Sequence, residues 1–349
     1  FGSYETMINT SVKIHTGHLQ IQAEAYQDKK SIRLVVPDSE RVAKLLDKIP
    51  KVAAYTFRGQ AFSLVSSNQR TYGVVVTGID PAREAGVSRL KSLTRQGEFL
   101  SEDDTDHALV GKLLARNLRV SPGDELTVVG QGRDGSIAAT VVKVKGIFSS
   151  GIDEFDRASI HIPLKTFQEI YSMQGAVHEV VAIADSLRHV DKIKRSIKAD
   201  LLSLGLKKNL TVLDWNELMP GLRQSIEMDL ISGFIFYLLL LLVVAFSILN
   251  TFLMAIFERT REFGVMMAIG TTPGRLTKVL LIESMTMTLV GIVAGIAVGC
   301  LITVYFQSHG IDFSGASELL NQFGITGRMY PKLSLLSAVS GPLAVLIIT

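Results

Sequence analysis

Two long apolar stretches without a charged side chain lie in the last third of the chain. The first covers residues 230–257 and contains the run of leucines at 238–242, and the second covers residues 284–306. At about 1.5 Å per helical residue, each stretch is long enough to cross the ~30 Å hydrocarbon core of a bilayer. The pattern predicts two membrane-spanning helices joined by a short charged turn.

Before these stretches, short strand-like runs alternate with helical stripes. Alternation of apolar and polar residues predicts strands at 12–14 and 19–22, and an apolar run predicts another at 34–36. An amphipathic helix follows, with Asp38 or Ser39 as its N-cap. Its apolar stripe consists of Val42, Leu45, Leu46 and Ile49.

A similar strand and helix recur near the end of this region. A strand is predicted at 179–183, an amphipathic helix follows it, and a closing strand is predicted at 210–213. Because the two units enclose a long insertion, they predict one α+β layer built from both ends of the domain. The stripe of the second helix consists of Val190, Ile193, Ile197 and Leu201.

The insertion, residues 52–167, is rich in short strands separated by turns. We expect a β-rich subdomain with one helix at 109–118. The strands are predicted at 53–58, 61–66, 72–79, 126–129, 137–144 and 158–162.

The charged turn between the two apolar stretches begins with Glu-Arg-Thr-Arg-Glu-Phe-Gly at 258–264. A short apolar stripe formed by Phe263, Met266, Met267 and Ile269 follows, and Gly270 and Pro273 end it. Two interpretations remain open: a surface helix that offers an apolar face to a partner, or a solvated turn that packs only on its own two helices. Since basic residues outnumber acidic ones in this loop, the positive-inside bias places it in the cytoplasm.

Composition excludes several classes of function. The net charge of +3 gives no argument for nucleic acid binding, and the single cysteine, Cys300, excludes an intrachain disulfide. The Gly-x-Gly-x-x-Gly pattern at 130–135 precedes a β-branched stretch rather than a helix, which predicts a hairpin turn and no nucleotide site. His15 and His18 face opposite sides of a predicted strand, and the acidic residues 153–156 lack an EF-hand spacing. We therefore expect no metal, no cofactor and no catalytic residue in this chain.

The charged turn and its surroundings resemble the FtsX-like permease family, which includes the MacB-type and the lipoprotein-releasing LolC and LolE permeases of type VII ABC transporters. The resemblance is carried by residues 258–264, by Ala-Ile-Gly at 268–270, by Glu283 and by the glycines of the second apolar stretch. Gly-Ile-Asp-Pro at 78–81 and Pro-Gly-Asp at 122–124 extend it into the first part of the chain. It implies an α+β fold with four spans and a large extracytoplasmic domain, in which a β-rich subdomain interrupts a porter-like one.

This resemblance sets the expected domain boundaries. We expect Phe1 to lie within the end of an upstream first span, and we expect the last span to be cut short. The expected segments are the end of the first span (1–10), an extracytoplasmic domain (11–214, porter-like at 11–51 and 168–214, β-rich at 52–167), a stalk (215–229), a span (230–257), a cytoplasmic coupling helix (258–276), a span (277–306), an outer loop (307–331) and a truncated span (332–349).

The resemblance also implies a function and a site. We expect a non-catalytic permease in a bacterial inner membrane, whose turn docks on the dimer of an ABC ATPase that binds ATP and magnesium. The coupling residues are expected to be Glu258, Arg259, Arg261, Glu262, Phe263, Gly264, Met267 and Gly270. Gly291, Gly295 and Gly299 are spaced by four, so we expect them to pack closely on a neighbouring helix. Glu283 is expected to pair with Arg275 or Lys278, or to reach the interface alone.

Further partners follow from the same resemblance: a second permease (identical or a paralogue), membrane lipid, and a lipoprotein client with its periplasmic carrier. Two alternatives remain. Arg-Glu-Phe-Gly at 261–264 is nearer to MacB-type members, which favours efflux through an adaptor protein, and a signal transducer that activates a periplasmic hydrolase would use the same turn.

Overall fold

The computed structural model describes residues 2–203, 209–312, 328–329 and 335–348. The chain divides into two compact units. We call Tyr4–Arg223 the N-terminal unit, and we call the unit that contains Gln224–Phe313 and Arg328–Thr349 the helical unit.

The elements follow one another in this order. They are α1 (Gly2–Val12), β1 (Leu19–Ala23), α2 (Tyr26–Lys29), α3 (Ser39–Leu46), β2 (Val52–Ser66), β3 (Thr71–Ile79), α4 (Pro81–Val87), α5 (Leu90–Leu93), β4 (Thr94–Gly97), β5 (His107–Gly111), α6 (Lys112–Leu118), β6 (Glu125–Gln131), β7 (Ile137–Phe148), α7 (Asp153–Ala158), β8 (Ser159–Pro163), α8 (Leu164–Ile170), β9 (Glu179–Ala184), a 3₁₀ turn (Leu187–His189), α9 (Val190–Ser203), β10 (Leu210–Asp214), α10 (Trp215–Leu218), α11 (Pro220–Glu258), α12 (Thr260–Ala268), α13 (Pro273–His309), β11 (Ile311–Asp312), β12 (Arg328–Met329) and α14 (Leu335–Ile348).

The ends of the N-terminal unit meet in one sheet, as the sequence predicts. Strand β1 lies between β9 and β10 and is antiparallel to both. Helices α3 and α9 pack on one face of this sheet, where their apolar stripes form a buried cluster with side chains such as Leu19, Ile21 and Val180. The α+β layer built from both ends of the domain is therefore present.

The insertion forms a closed ring of strands. Strand β2 pairs with β3, β3 with β8, β8 with β5, β5 with β7, β7 with β6, and β6 again with β2. Alternate residues point inward and fill the ring with small and branched apolar side chains such as Val65, Val76, Val110, Val128 and Ile160. We call this ring the barrel.

Strand β2 belongs to both the sheet and the barrel. Its first part, Val52–Arg58, pairs with β9, and its second part, Arg58–Ser66, pairs with β3. The sequence predicts two strands here, at 53–58 and 61–66, and that prediction is wrong because Gly59 does not break the strand. Gly59 is instead required by packing, since a Cβ atom at this position would collide with the ring of Phe167.

Three other local predictions are wrong. Residues 12–14 complete α1 and enter a turn, and residues 34–36 contribute only an isolated bridge between Val36 and Val177. The apolar run at 108–110 is strand β5, so helix α6 starts only at Lys112. Asp38 is the N-cap residue of α3, as predicted, although its φ is 52° and its side chain makes no capping hydrogen bond.

Two long helices dominate the helical unit. Helices α11 and α13 are both long and apolar enough to cross a membrane. Their apolar side chains are exposed along their length: Leu240 is 63 % exposed, Val243 65 % and Leu301 72 %. An exposed apolar surface of this length is typical of contact with lipid or with other spans rather than with water.

Candidate functional site

The charged turn of the helical unit is a separate short helix, α12, between α11 and α13. It begins after Arg259, whose carbonyl accepts a hydrogen bond from the backbone N–H of Phe263 at 3.1 Å. It ends at Gly270, whose φ of 105° favours glycine, and the N–H groups of Gly270 and Thr271 close the last turn on the carbonyls of Met267 and Met266. Pro273 then starts α13.

Arg259 connects the three helices of this region. Its Nε donates to Glu262 Oε2 of α12 at 3.1 Å, and its Nη1 donates to both carboxylate oxygens of Glu283 on α13 at 3.0 and 3.1 Å. The guanidinium carbon also lies 5.6 Å from the centre of the Phe263 ring. Hydrogen bonding to Glu262 and the charge of Glu283 raise the pKa of Arg259, which stays charged.

The predicted partners of Glu283 are therefore wrong. Sequence reasoning paired this carboxylate with Arg275 or Lys278, because both lie on the same helix within two turns or so. The structure pairs it with Arg259, a contact that spans 24 positions along the chain. A pairing of this kind depends on how two helices fold back on each other, and local spacing does not reveal it.

The other predicted coupling residues differ in accessibility. Phe263 is 7 % exposed, whereas Met267 is 47 % exposed, and Glu258, Arg261 and Gly264 are also exposed. Insertion of Phe263 into a partner would require α12 to shift, while Met267 is accessible as it stands. The role of these residues in coupling stays a prediction.

Sequence reasoning missed Val265 as part of the exposed surface. Val265 is 55 % exposed and Ile269 is 82 % exposed. With Arg261 they follow an i, i+4, i+8 spacing, so they share one side of the helix. This spacing was available in the sequence and indicates an outward surface with one cation and two apolar side chains.

The three glycines of α13 lie on an open face. Apart from the backbone of the same helix turns and the adjacent residues, no heavy atom of the described residues lies within 4 Å of the Cβ positions that side chains at Gly291, Gly295 or Gly299 would occupy. Their role in helix packing stays a prediction.

The glycine pattern, the histidine and the acidic segment that the sequence analysis rejected as functional sites all lie in the N-terminal unit. The pattern at 130–135 is the hairpin between β6 and β7. His18 is held by structural hydrogen bonds, since it accepts from the backbone N–H of Ala184 at 3.0 Å and contacts Asn9 at 2.9 Å. In the acidic segment, Asp153 and Glu154 are exposed, whereas Asp156 is buried and accepts hydrogen bonds from Ser150.

Comparison with known proteins assigns the family. A model described as "MacB-like periplasmic core domain" matches residues 3–200, and one described as "FtsX-like permease C-terminal" matches residues 234–349. The chain belongs to the FtsX/MacB family of ABC transporter permeases. As a member of this family it combines membrane helices with a mixed α/β domain of the MacB periplasmic type, and the predicted family is confirmed.

Several curated proteins are similar to this FtsX/MacB permease. One is the lipoprotein-releasing system transmembrane protein LolC of Neisseria meningitidis serogroup B, 22 % identical over 69 % of this chain and 58 % of LolC. Another is the macrolide export ATP-binding/permease protein MacB of Vibrio parahaemolyticus, 24 % identical over 89 % of this chain and 47 % of MacB. The uncharacterized ABC transporter permease YknZ of Bacillus subtilis is 26 % identical over 55 % of this chain and 47 % of YknZ. The chain spans about half the length of the curated relatives it matches.

Two solved structures are also similar. The periplasmic region of MacB from Actinobacillus actinomycetemcomitans matches 64 % of this chain and 98 % of its own, with 17 % identity and a TM-score of 0.45. The extracellular domain of YknZ from Gram-positive bacteria matches 56 % of this chain and 98 % of its own, with 13 % identity and a TM-score of 0.42.

Proposed function

We propose that this permease converts ATP-driven movement of an ABC ATPase into movement of its extracytoplasmic domain. The ATPase dimer, which holds ATP and magnesium, would engage the outward surface of α12 from the cytoplasmic side of a bacterial inner membrane. A second permease, identical or paralogous, would complete the assembly.

The observation that carries this proposal is the attachment of α12 to both long helices. Because Arg259 follows α11, pairs with Glu262 in α12 and binds both oxygens of Glu283 in α13, a push on α12 acts on three helices together. Because Nε and Nη1 of one guanidinium bind carboxylates on two different helices, the charge-assisted hydrogen bonds link α12 to α13 through a single planar group. Helix α11 continues without a break back to Pro220.

In this proposal the predicted coupling residues divide into two groups. One group holds the shape of the turn. Arg259 is paired with Glu283, Phe263 is buried, and Gly270 has a positive φ. Arg261 belongs to the outward surface, and Glu262 and Met267 are exposed on either side of it, so we assign the contact with the ATPase to these three residues. Glu262 is 66 % exposed although it pairs with Arg259.

For the client we propose a lipid-bearing molecule, in the first place a lipoprotein taken from the outer leaflet of the inner membrane and passed to a periplasmic carrier. Similarity to LolC supports this choice. Export of a small molecule through an adaptor is the second candidate, supported by the MacB relatives and by the Arg-Glu-Phe-Gly form of the turn. A signal transducer is the third candidate: the same helices would pass the movement to a periplasmic hydrolase and activate it, and no client would be transported.

Charge reversal on the outward surface of α12 tests the coupling. We expect Arg261→Glu and Glu262→Arg each to weaken binding of the ATPase about tenfold or more, because a like charge then faces the partner. Binding is measured by titrating the purified ATPase on the permease in nanodiscs, and client release is measured in parallel.

Arg275→Glu provides the matched control, since it reverses an exposed charge in the first turn of α13, outside the assigned surface. We expect it to retain ATPase binding. Unchanged binding and unchanged release in both α12 variants would contradict the docking assignment.

Crosslinking of the N-terminal unit in cells separates the three candidate functions. A lipoprotein-releasing permease should crosslink to a carrier and a lipoprotein, an efflux permease to an adaptor, and a signal transducer to a hydrolase.

A further inference from the structure

An apolar patch covers part of the outer wall of the barrel. Its members are large apolar side chains that point away from the filled interior: Phe62 (72 % exposed), Leu64 (50 %), Val75 (37 %), Val129 (39 %), Ile137 (83 %) and Val141 (52 %). We call these six residues the wall patch. The barrel core does not need them, because alternate residues on the same strands already fill it.

Strand register makes the wall patch continuous over β3, β2, β6 and β7. Phe62 lies opposite Val75, and Leu64 lies opposite both Gly73 and Val129. Gly73 leaves room for the Phe62 ring, since a Cβ atom there would come within 2.8 Å of Phe62 Cζ. The aromatic ring is thus seated on the strand beside it rather than projecting freely.

The wall patch continues into a polar cavity of the same unit. This cavity has a volume of about 270 Å³, and Val75 belongs to both the patch and the cavity lining. Gln60 and Thr77, which face each other in the β2–β3 register next to the pair of Phe62 and Val75, also line it. The same strand pair therefore leads from an apolar surface into a polar one.

Two opposite charges lie in the cavity. Lys30 Nζ is 3.5 Å from Glu179 Oε1, the Lys30 side chain is 47 % exposed, and Glu179 is 2 % exposed. Gln60 Nε2 donates to Glu179 Oε2 at 3.2 Å. Burial, followed by the charge of Arg58, holds the pKa of His15 well below its ordinary value, so this cavity residue is neutral. An ion pair as long as 3.5 Å is a weak hydrogen bond, and its half-exposed cation is accessible to a ligand group from the cavity.

We infer that the wall patch and this cavity together bind a zwitterionic phospholipid. One acyl chain lies on Phe62, Leu64 and Val129, the phosphate meets Lys30, and the ammonium of the head group meets Glu179. Charge complementarity favours this occupant over a purely apolar one, because both signs of charge are present where the apolar surface ends. The inference does not depend on which client the permease moves.

Photo-crosslinking of the full chain in detergent micelles tests this site. The probe is a phosphatidylethanolamine with a diazirine on one acyl chain, and labelled peptides are mapped by mass spectrometry. We expect labelling of α11 and α13, which serve as an internal control, and additional labelling of β2 and β6. Leu64→Gln should reduce the labelling of β2 and β6 about fivefold, and Lys30→Met about tenfold, without changing that of the helices.

Leu202→Gln is the matched control, because Leu202 is 59 % exposed on α9 outside the wall patch. It should leave labelling unchanged. An anionic phosphatidylglycerol probe should label β2 and β6 less than the zwitterionic probe does. Labelling confined to α11 and α13, or equal labelling of Leu64→Gln and the parent chain, would overturn the inference. A change of oligomeric state in Leu64→Gln would overturn it as well, since the patch would then be a contact between copies.

Discussion

At the scale of single residues, the N-terminal unit depends on one buried ion pair. Arg58 and Glu84 are 1 % and 2 % exposed, and their side chains make two hydrogen bonds, at 2.5 and 3.1 Å. A further guanidinium N–H donates to the carbonyl of His15. Burial raises the pKa of Glu84, but the charge and hydrogen bonds of Arg58 outweigh burial, so the pKa lies below its ordinary value.

Removal of the carboxylate should therefore be costly. We expect Glu84→Gln to lower the free energy of unfolding by about 3–5 kcal/mol, because Arg58 would keep a buried charge without its partner. Urea unfolding of the full chain in detergent, followed by fluorescence of the single tryptophan, Trp215, measures the change. Glu24→Gln is the matched control at an exposed position. Equal stability of the two variants would contradict the role of the pair.

Buried histidines predict loss of stability in mild acid. Burial lowers the pKa of His18, His161 and His178 from 6.5 to about 4. The unfolded chain binds more protons than the folded chain between these values. The stability that these neutral histidines allow is therefore fully present above their unfolded pKa and is lost as the pH drops from about 6.5 towards 4. Each histidine contributes a slope of about 1.4 kcal/mol per pH unit.

The same Trp215 assay at a series of pH values measures this slope. His161 packs against Phe148 and Phe155. His161→Phe should therefore keep the packing and reduce the slope by the contribution of one titrating histidine, about 1.4 kcal/mol per pH unit. A slope that does not change in this variant would show that His161 does not titrate on unfolding.

At the scale of elements, helix α12 depends on its C-terminal glycine. Gly270 has a φ of 105°, which a β-branched residue adopts only with strain of about 1–3 kcal/mol. We expect Gly270→Val to loosen the last turn of α12 and to accelerate hydrogen exchange of the amides of Gly270 and Thr271 about tenfold. Gly274→Val, in the first turn of α13 with open space around it, should leave these amides unchanged. Equal exchange in both variants would contradict the assigned role.

The sequence predicts elements best where one periodicity is unambiguous. Helix α9 is buried at the four predicted positions, and strands β1, β9 and β10 are present. The predicted helix at 109–118 wrongly includes residues 109–111 of strand β5, because a short apolar run fits a buried strand and a helix equally well. Residues 12–14 alternate like a strand, yet they complete a helix and enter a turn.

At the scale of the whole molecule, the class of the chain was predictable and its long-range pairings were not. The uncharged runs at 230–257 and 284–306 and the turn between them indicate the family directly. Closure of the barrel, by contrast, depends on contact between β2 and β6, which are far apart in sequence. The pairing of Arg259 with Glu283 and that of Arg58 with Glu84 depend on tertiary folding in the same way. Local patterns carry no information about such contacts.

The shared strand β2 limits how this domain can be recombined. Arg58 lies where β2 leaves the sheet, whereas its counter-ion Glu84 lies on α4, further along the chain. A chimera with a breakpoint at Gly59 takes position 58 from one parent and position 84 from the other. A buried charge then loses its counter-ion wherever the two permeases do not share this ion pair. Chimeras that fold are therefore expected to have their breakpoint before Val52 rather than at Gly59, so that the insertion is exchanged together with the whole of strand β2.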